Sequence, residues 1–71
     1  MYIEVNGEKR EIPDETTLQQ LVERILAFAP ERLAIELNRE VAPRTRWSNT
    51  KLREGDRIEI VHFVGGGENE G

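Results

Sequence analysis

One amphipathic stripe limits what this chain can become. Leu18, Leu21, Val22, Ile25 and Leu26 fall at i, i+3, i+4, i+7 and i+8, with Gln19, Gln20, Glu23 and Arg24 outside the stripe. That spacing gathers the apolar side chains on one side of a helix. A lone helix cannot bury its own stripe, so it must lie on another layer. Thr16 or Thr17 caps its start. Thr17 followed by Gln20 fits a capping box, in which hydroxyl and amide oxygens each accept a free backbone N–H. Pro30 ends the helix, because proline disfavours helical geometry in the residue before it. The expected helix is Leu18 to Phe28.

The segments on either side read as strands. Met1, Ile3 and Val5 alternate with Tyr2, Glu4 and Asn6, the period of a half-buried strand. Asn6-Gly7 is the strongest short hairpin signal, since a type I′ turn needs positive φ at both central residues. The return strand, Glu8 to Ile12, carries the run Glu-Lys-Arg-Glu, which suits a sheet edge. Pro13-Asp14-Glu15 is a turn. After the helix come a short strand, Leu33 to Leu37, a turn at Asn38-Arg39-Glu40 and a brief continuation at Val41-Ala42. Pro43 to Thr50 reads as irregular. Its one large apolar residue, Trp47, is expected to close a corner of the core with its indole N–H bonded. Glu54-Gly55-Asp56 is a tight turn into the last strand, Arg57 to Val64.

A helix between a first hairpin and later strands must cover one sheet face. A right-handed crossover then sets the first and last strands side by side and parallel in the middle. The expected fold is α+β: a mixed sheet of four or five strands on one helix, the β-grasp or ubiquitin-like arrangement. Residues 1–64 form the expected domain and 65–71 a flexible glycine-rich tail.

Composition narrows the function. Seventy-one residues make one domain with a thin core, burying about 60% of the unfolded surface. The formal charge is −4, and the basic residues Arg39, Arg44, Arg46, Lys51 and Arg53 are diluted by Glu40 and Glu54. Nucleic acid, which selects a clustered basic surface, is therefore not the expected partner. There is no cysteine, so no disulfide, thiolate site or cysteine nucleophile is possible. One histidine among scattered carboxylates argues against a dedicated metal site. His62 has no nucleophile or carboxylate partner in view and reads as structural or half-exposed. No apolar run approaches the roughly 20 residues that span a bilayer, and Met1 leads into a strand rather than a signal peptide. The expected location is the cytoplasm, and the expected state alone is a monomer.

The last strand and the glycine-rich run after it carry the functional signal. Ile58 and Ile60 share a face that the helix should cover, while Glu59 marks the solvated side. By the same alternation Val61 and Phe63 project from the uncovered face, and Tyr2 of the first strand shares it. An apolar patch there, close to a tail, suggests a protein-docking surface. The plainer alternative is that Phe63 tucks around the sheet edge. Gly65-Gly66-Gly67 does not match a phosphate-cradling loop, because such loops open a helix. In an arbitrary protein such a terminus is simply disordered. Glycines also let a backbone thread a narrow channel and approach catalytic groups closely.

The order of elements, the loop Pro43-Arg44…Trp47, the turn Glu54-Gly55-Asp56 and the run from Arg57 to Gly67 together resemble the ThiS family of sulfur carriers in thiamine (thiazole) biosynthesis. The resemblance covers essentially the whole domain. It implies a protein co-substrate rather than an enzyme, with no catalytic residue, metal or cofactor of its own. A ThiF-like adenylating enzyme would use ATP and Mg²⁺ to activate the carboxylate of Gly67, with Gly65 and Gly66 as threading residues. Sulfur drawn from cysteine by a desulfurase would then give a thiocarboxylate, from which a ThiG-like thiazole synthase takes it. One departure stands out: Glu68-Asn69-Glu70-Gly71 comes after Gly67, so removal of Glu68 to Gly71 is expected before activation. The nearest alternatives are a MoaD-like or other sulfur carrier, and a ubiquitin-like interaction or conjugation module.

Overall fold

The Asn6-Gly7 turn forms as its chemistry dictates. In the computed structural model, which describes residues 1–25 and 33–62, the last by its backbone alone, Asn6 takes φ 48° and Gly7 φ 85°. They join β1 (Tyr2–Val5) to β2 (Glu8–Glu11), with Val5 opposite Glu8 and Tyr2 opposite Glu11. All four β2 side chains are exposed. Ile12, just beyond the strand, turns into the core.

The helix α1 (Leu18–Ile25) starts where the sequence places it. Gln20 N–H donates to Thr17 Oγ1 over 3.1 Å, and Thr17 N–H donates to Gln20 Oε1 over 3.0 Å, so the capping box is closed. Leu18, Leu21 and Val22 are buried and Ile25 packs on the same core. Glu23 and Arg24 face out. Thr17→Ala is expected to cost about 1 kcal/mol of stability, measured as a lower urea midpoint with an unchanged slope. The expected helix residues Leu26 to Phe28, together with Pro30, lie outside the described residues.

The remaining strands are β3 (Leu33–Leu37), β4 (Glu40–Val41) and β5 (Arg57–His62). Their order in one sheet is β2-β1-β5-β3-β4. β1 and β5 are parallel and the other pairs antiparallel. This is the β-grasp fold, with the edge place of β2 and the parallel central pair as the sequence implies.

Two segments differ from expectation. The turn at Asn38-Arg39 forms, but the segment after it does not run on as a continuation: Asn38 and Arg39 both take left-handed geometry, φ 52° and 72°, and the chain reverses so that Glu40–Val41 returns antiparallel along β3. Asn38 holds that reversal, donating to Asp56 Oδ1 over 3.0 Å and accepting from Arg57 N–H over 3.0 Å. Pro43 to Thr50 is not irregular but contains a 3₁₀ helix, Arg44–Asn49. Trp47 on that helix is 2% exposed, and its indole N–H donates to the Ala42 carbonyl over 2.7 Å. The Arg44 guanidinium lies over the ring, 4.7 Å from its centroid.

Gly55 takes φ 85° in the turn before β5. That turn also anchors β1: Gly55 N–H donates to the Tyr2 carbonyl over 2.8 Å, and Tyr2 N–H to Glu54 Oε1 over 2.9 Å. Ile58 is buried and Ile60 half-buried against the core, while Arg57, Glu59 and Val61 face the other side. Among the described residues no helix is long and apolar enough to cross a membrane.

Candidate functional site

The face of the sheet away from α1 carries the exposed side chains of β5. Cross-strand register fixes its neighbours, because directly opposed residues in a sheet share a face. Glu4 lies beside Arg57, Glu36 beside Glu59 and Ala34 beside Val61. Arg57 Nε and Glu4 Oε1 are 3.2 Å apart, an ion pair at the surface and therefore a weak contributor to stability. The Lys9 ammonium sits 4.6 Å from the centre of the Tyr2 ring.

The sequence-derived patch divides on this face. Tyr2 and Val61 are both exposed, at 43% and 46%, so the alternation gives their side of the sheet. The structure does not bring them together. The parallel register carries Tyr2 back to Gly55, at the entry to β5, whereas Val61 lies beyond the end of β1. Six residues of strand separate those two levels, roughly 20 Å at the usual rise. Glu4, Arg57 and Glu59 occupy the space between. Tyr2 thus belongs to a separate cluster with Lys9, and Val61 is the exposed apolar residue closer to the tail.

Val41 lies on the same face, two strands from β5 at the level of Glu59. It is 71% exposed and pairs with Glu36, next to Ala34 on β3. The turn at Asn38-Arg39 brings Val41 back to that face, a pairing that the sequence reading of Val41-Ala42 did not include. The signal was the Asn38 side chain, a residue type that tolerates left-handed geometry. Phe63, Gly65, Gly66, Gly67 and the segment Glu68 to Gly71 lie outside the described residues, as does the His62 side chain. The His62 backbone pairs with Leu33 and is the last described link of β5 to the sheet.

Comparison with known proteins places this architecture. The ThiS family matches residues 3–67. A thiazole synthase of Magnetococcus marinus is 44% identical over 69 residues, which cover 97% of this chain and 21% of that protein. The chain spans about a fifth of the length of the thiazole synthases it matches. The sulfur carrier protein ThiS of Bacillus subtilis is 48% identical over 33 residues, 46% of this chain and 50% of that one. The crystal structure of a thiamine biosynthesis protein (ThiS) from Geobacter metallireducens superposes with a TM-score of 0.81 at 29% identity, covering 94% of this chain and 100% of that one. With the fold shared and residues 3–67 matched, this chain belongs to the ThiS family.

Proposed function

We propose that the chain is a sulfur carrier for thiazole formation in thiamine biosynthesis, and that the carboxylate of Gly67 is the group that carries sulfur. The observation behind this is positional. The family match runs through residue 67, past the described end of a central strand that is held by its neighbours and presents Val61 on the face away from α1.

The chemistry starts from a poor electrophile. A carboxylate oxygen of Gly67 attacks the α-phosphate of ATP on a ThiF-like adenylating enzyme, with Mg²⁺ balancing the phosphate charge, and pyrophosphate leaves. The acyl-adenylate now has AMP as leaving group in place of oxide. The outer sulfur of a persulfide, formed from cysteine by a desulfurase, displaces AMP to give an acyl disulfide. A thiol then cleaves that S–S bond, releasing the thiocarboxylate and leaving as a disulfide. A ThiG-like thiazole synthase then takes the sulfur. The carrier's part is to supply the carboxylate, a backbone slender enough to thread a channel, and a docking face. Gly65 and Gly66 suit the thread, since a residue without Cβ passes where others clash. Val61 and Phe63 suit the docking face at the tail end. Tyr2, with Lys9, offers a second contact at the far end.

A thiazole synthase as partner is supported by the thiazole synthases that contain a segment like this chain within one polypeptide. A free carboxylate at Gly67 requires the Gly67–Glu68 bond to be cut. The domain is accordingly 1–64, with 65–71 as an arm from which the last four residues are removed. The intact mass of the protein isolated from its native host tests this. A mature chain ending at Gly67 is expected; a working carrier that retains Gly71 overturns the assignment to Gly67.

A further inference from the structure

Asn6 stands where β1 leaves β5 before β5 has ended. Val5 lies beside Ile58, so the next residue, Asn6, lies beside Glu59. In a parallel pair a residue in that place gives its N–H to the carbonyl before its neighbour, and its carbonyl receives the N–H after it. The first bond is present: Asn6 N–H donates to the Ile58 carbonyl over 2.9 Å. The second is not made by the main chain, because Asn6 and Gly7 have turned to left-handed geometry to enter β2. The side chain makes it instead. Ile60 N–H donates to Asn6 Oδ1 over 2.8 Å, and Asn6 Nδ2 lies 3.5 Å from the Ile60 carbonyl as a long donor. A carboxamide holds an acceptor and a donor on one plane, as a peptide unit does. It thereby stands in for one further unit of β1. Beyond Ile60, the described pairings of β5 are on the β3 side alone, Ala34 with Val61 and Leu33 with His62.

We propose that Asn6 is a positioning residue: its carboxamide clamps β5 at Ile60, on the central strand that precedes Gly65 and Gly67 in sequence. The clamp follows from the geometry, whereas its role in delivery rests on the sulfur-carrier function proposed above. With the clamp, the strand end reaches the activating enzyme already ordered. Without it, ordering must be supplied at binding, which raises KM and leaves the chemical step alone.

Asn6→Gly separates the clamp from the turn, because glycine accepts the left-handed geometry and removes the side chain. Hydrogen exchange on the full chain should show the Ile60 amide exchanging about tenfold faster, the equivalent of one net hydrogen bond, relative to the Ile58 amide of the same molecule. Asn6→Asp keeps the acceptor oxygen and should retain protection at Ile60. With chains ending at Gly67, which keep every described strand and helix, Asn6→Gly should raise the KM for adenylation several-fold at unchanged kcat. An unchanged Ile60-to-Ile58 exchange ratio overturns the clamp. Faster exchange with unchanged KM overturns the positioning role. Failure of the unsubstituted chain to be adenylated overturns the carrier function and the delivery role together, while the exchange ratio still judges the clamp.

Discussion

Trp47→Ala is expected to remove about 3–5 kcal/mol of folding stability. Trp47 is among the largest fully buried side chains, and its ring fills the space between the 3₁₀ helix and the core under α1. Truncation deletes that packing and also strips the Ala42 carbonyl of its 2.7 Å donor. Domains of ordinary stability have only about 5–15 kcal/mol in all, and a chain with so thin a core sits toward the lower end. The substituted protein should therefore be partly unfolded at ambient temperature. Trp47→Phe keeps most of the ring and loses the donor, so it should fall between the two. Urea unfolding followed by far-UV circular dichroism measures all three; a loss below about 1 kcal/mol for Trp47→Ala would show that the corner closed by Trp47 is not part of the core.

Gly66→Leu should act on function alone. The described core draws on Ile60 and residues before it, so the urea midpoint should not move. In a chain ending at Gly67, adenylation should fall about a hundredfold or more in kcat/KM, equivalent to roughly 2.7 kcal/mol of lost transition-state stabilisation. The expected cause is steric: if the tail threads a channel that suits glycine, a branched side chain there clashes, and φ freedom is lost with it. Rates within about threefold of the unsubstituted chain would mean that the glycines are not a thread.

Local chemistry made much of this fold legible. The Asn6-Gly7 turn, the Thr17–Gln20 capping box, the α1 stripe and the two faces of β5 each depend on residues close in sequence, and each forms as read over the described residues. What could not be read depends on distant partners. The turn at Asn38-Arg39 was legible, but not that Asn38 holds it by bonding to Asp56 and Arg57, eighteen and nineteen residues on. The 3₁₀ helix Arg44–Asn49 is too short and polar to show a periodic stripe, so only Trp47 announced it. Alternation put Tyr2 and Val61 on one face, but their separation is set by the parallel register of β1 on β5, which no local pattern encodes. Asn6 itself was legible as a turn residue and not as the partner of Ile60, fifty-four residues away.

The most direct measurement is the intact mass of the chain ending at Gly67 after incubation with ATP, Mg²⁺, a ThiF-like adenylating enzyme, a cysteine desulfurase, cysteine and a thiol reductant. Sulfur loading predicts a product heavier by the difference between one sulfur and one oxygen atom, with the gain confined to Gly67 when the chain is fragmented. An unchanged mass, from an adenylating enzyme that loads its own carrier under the same conditions, contradicts the assignment of Gly67 as the sulfur-bearing residue.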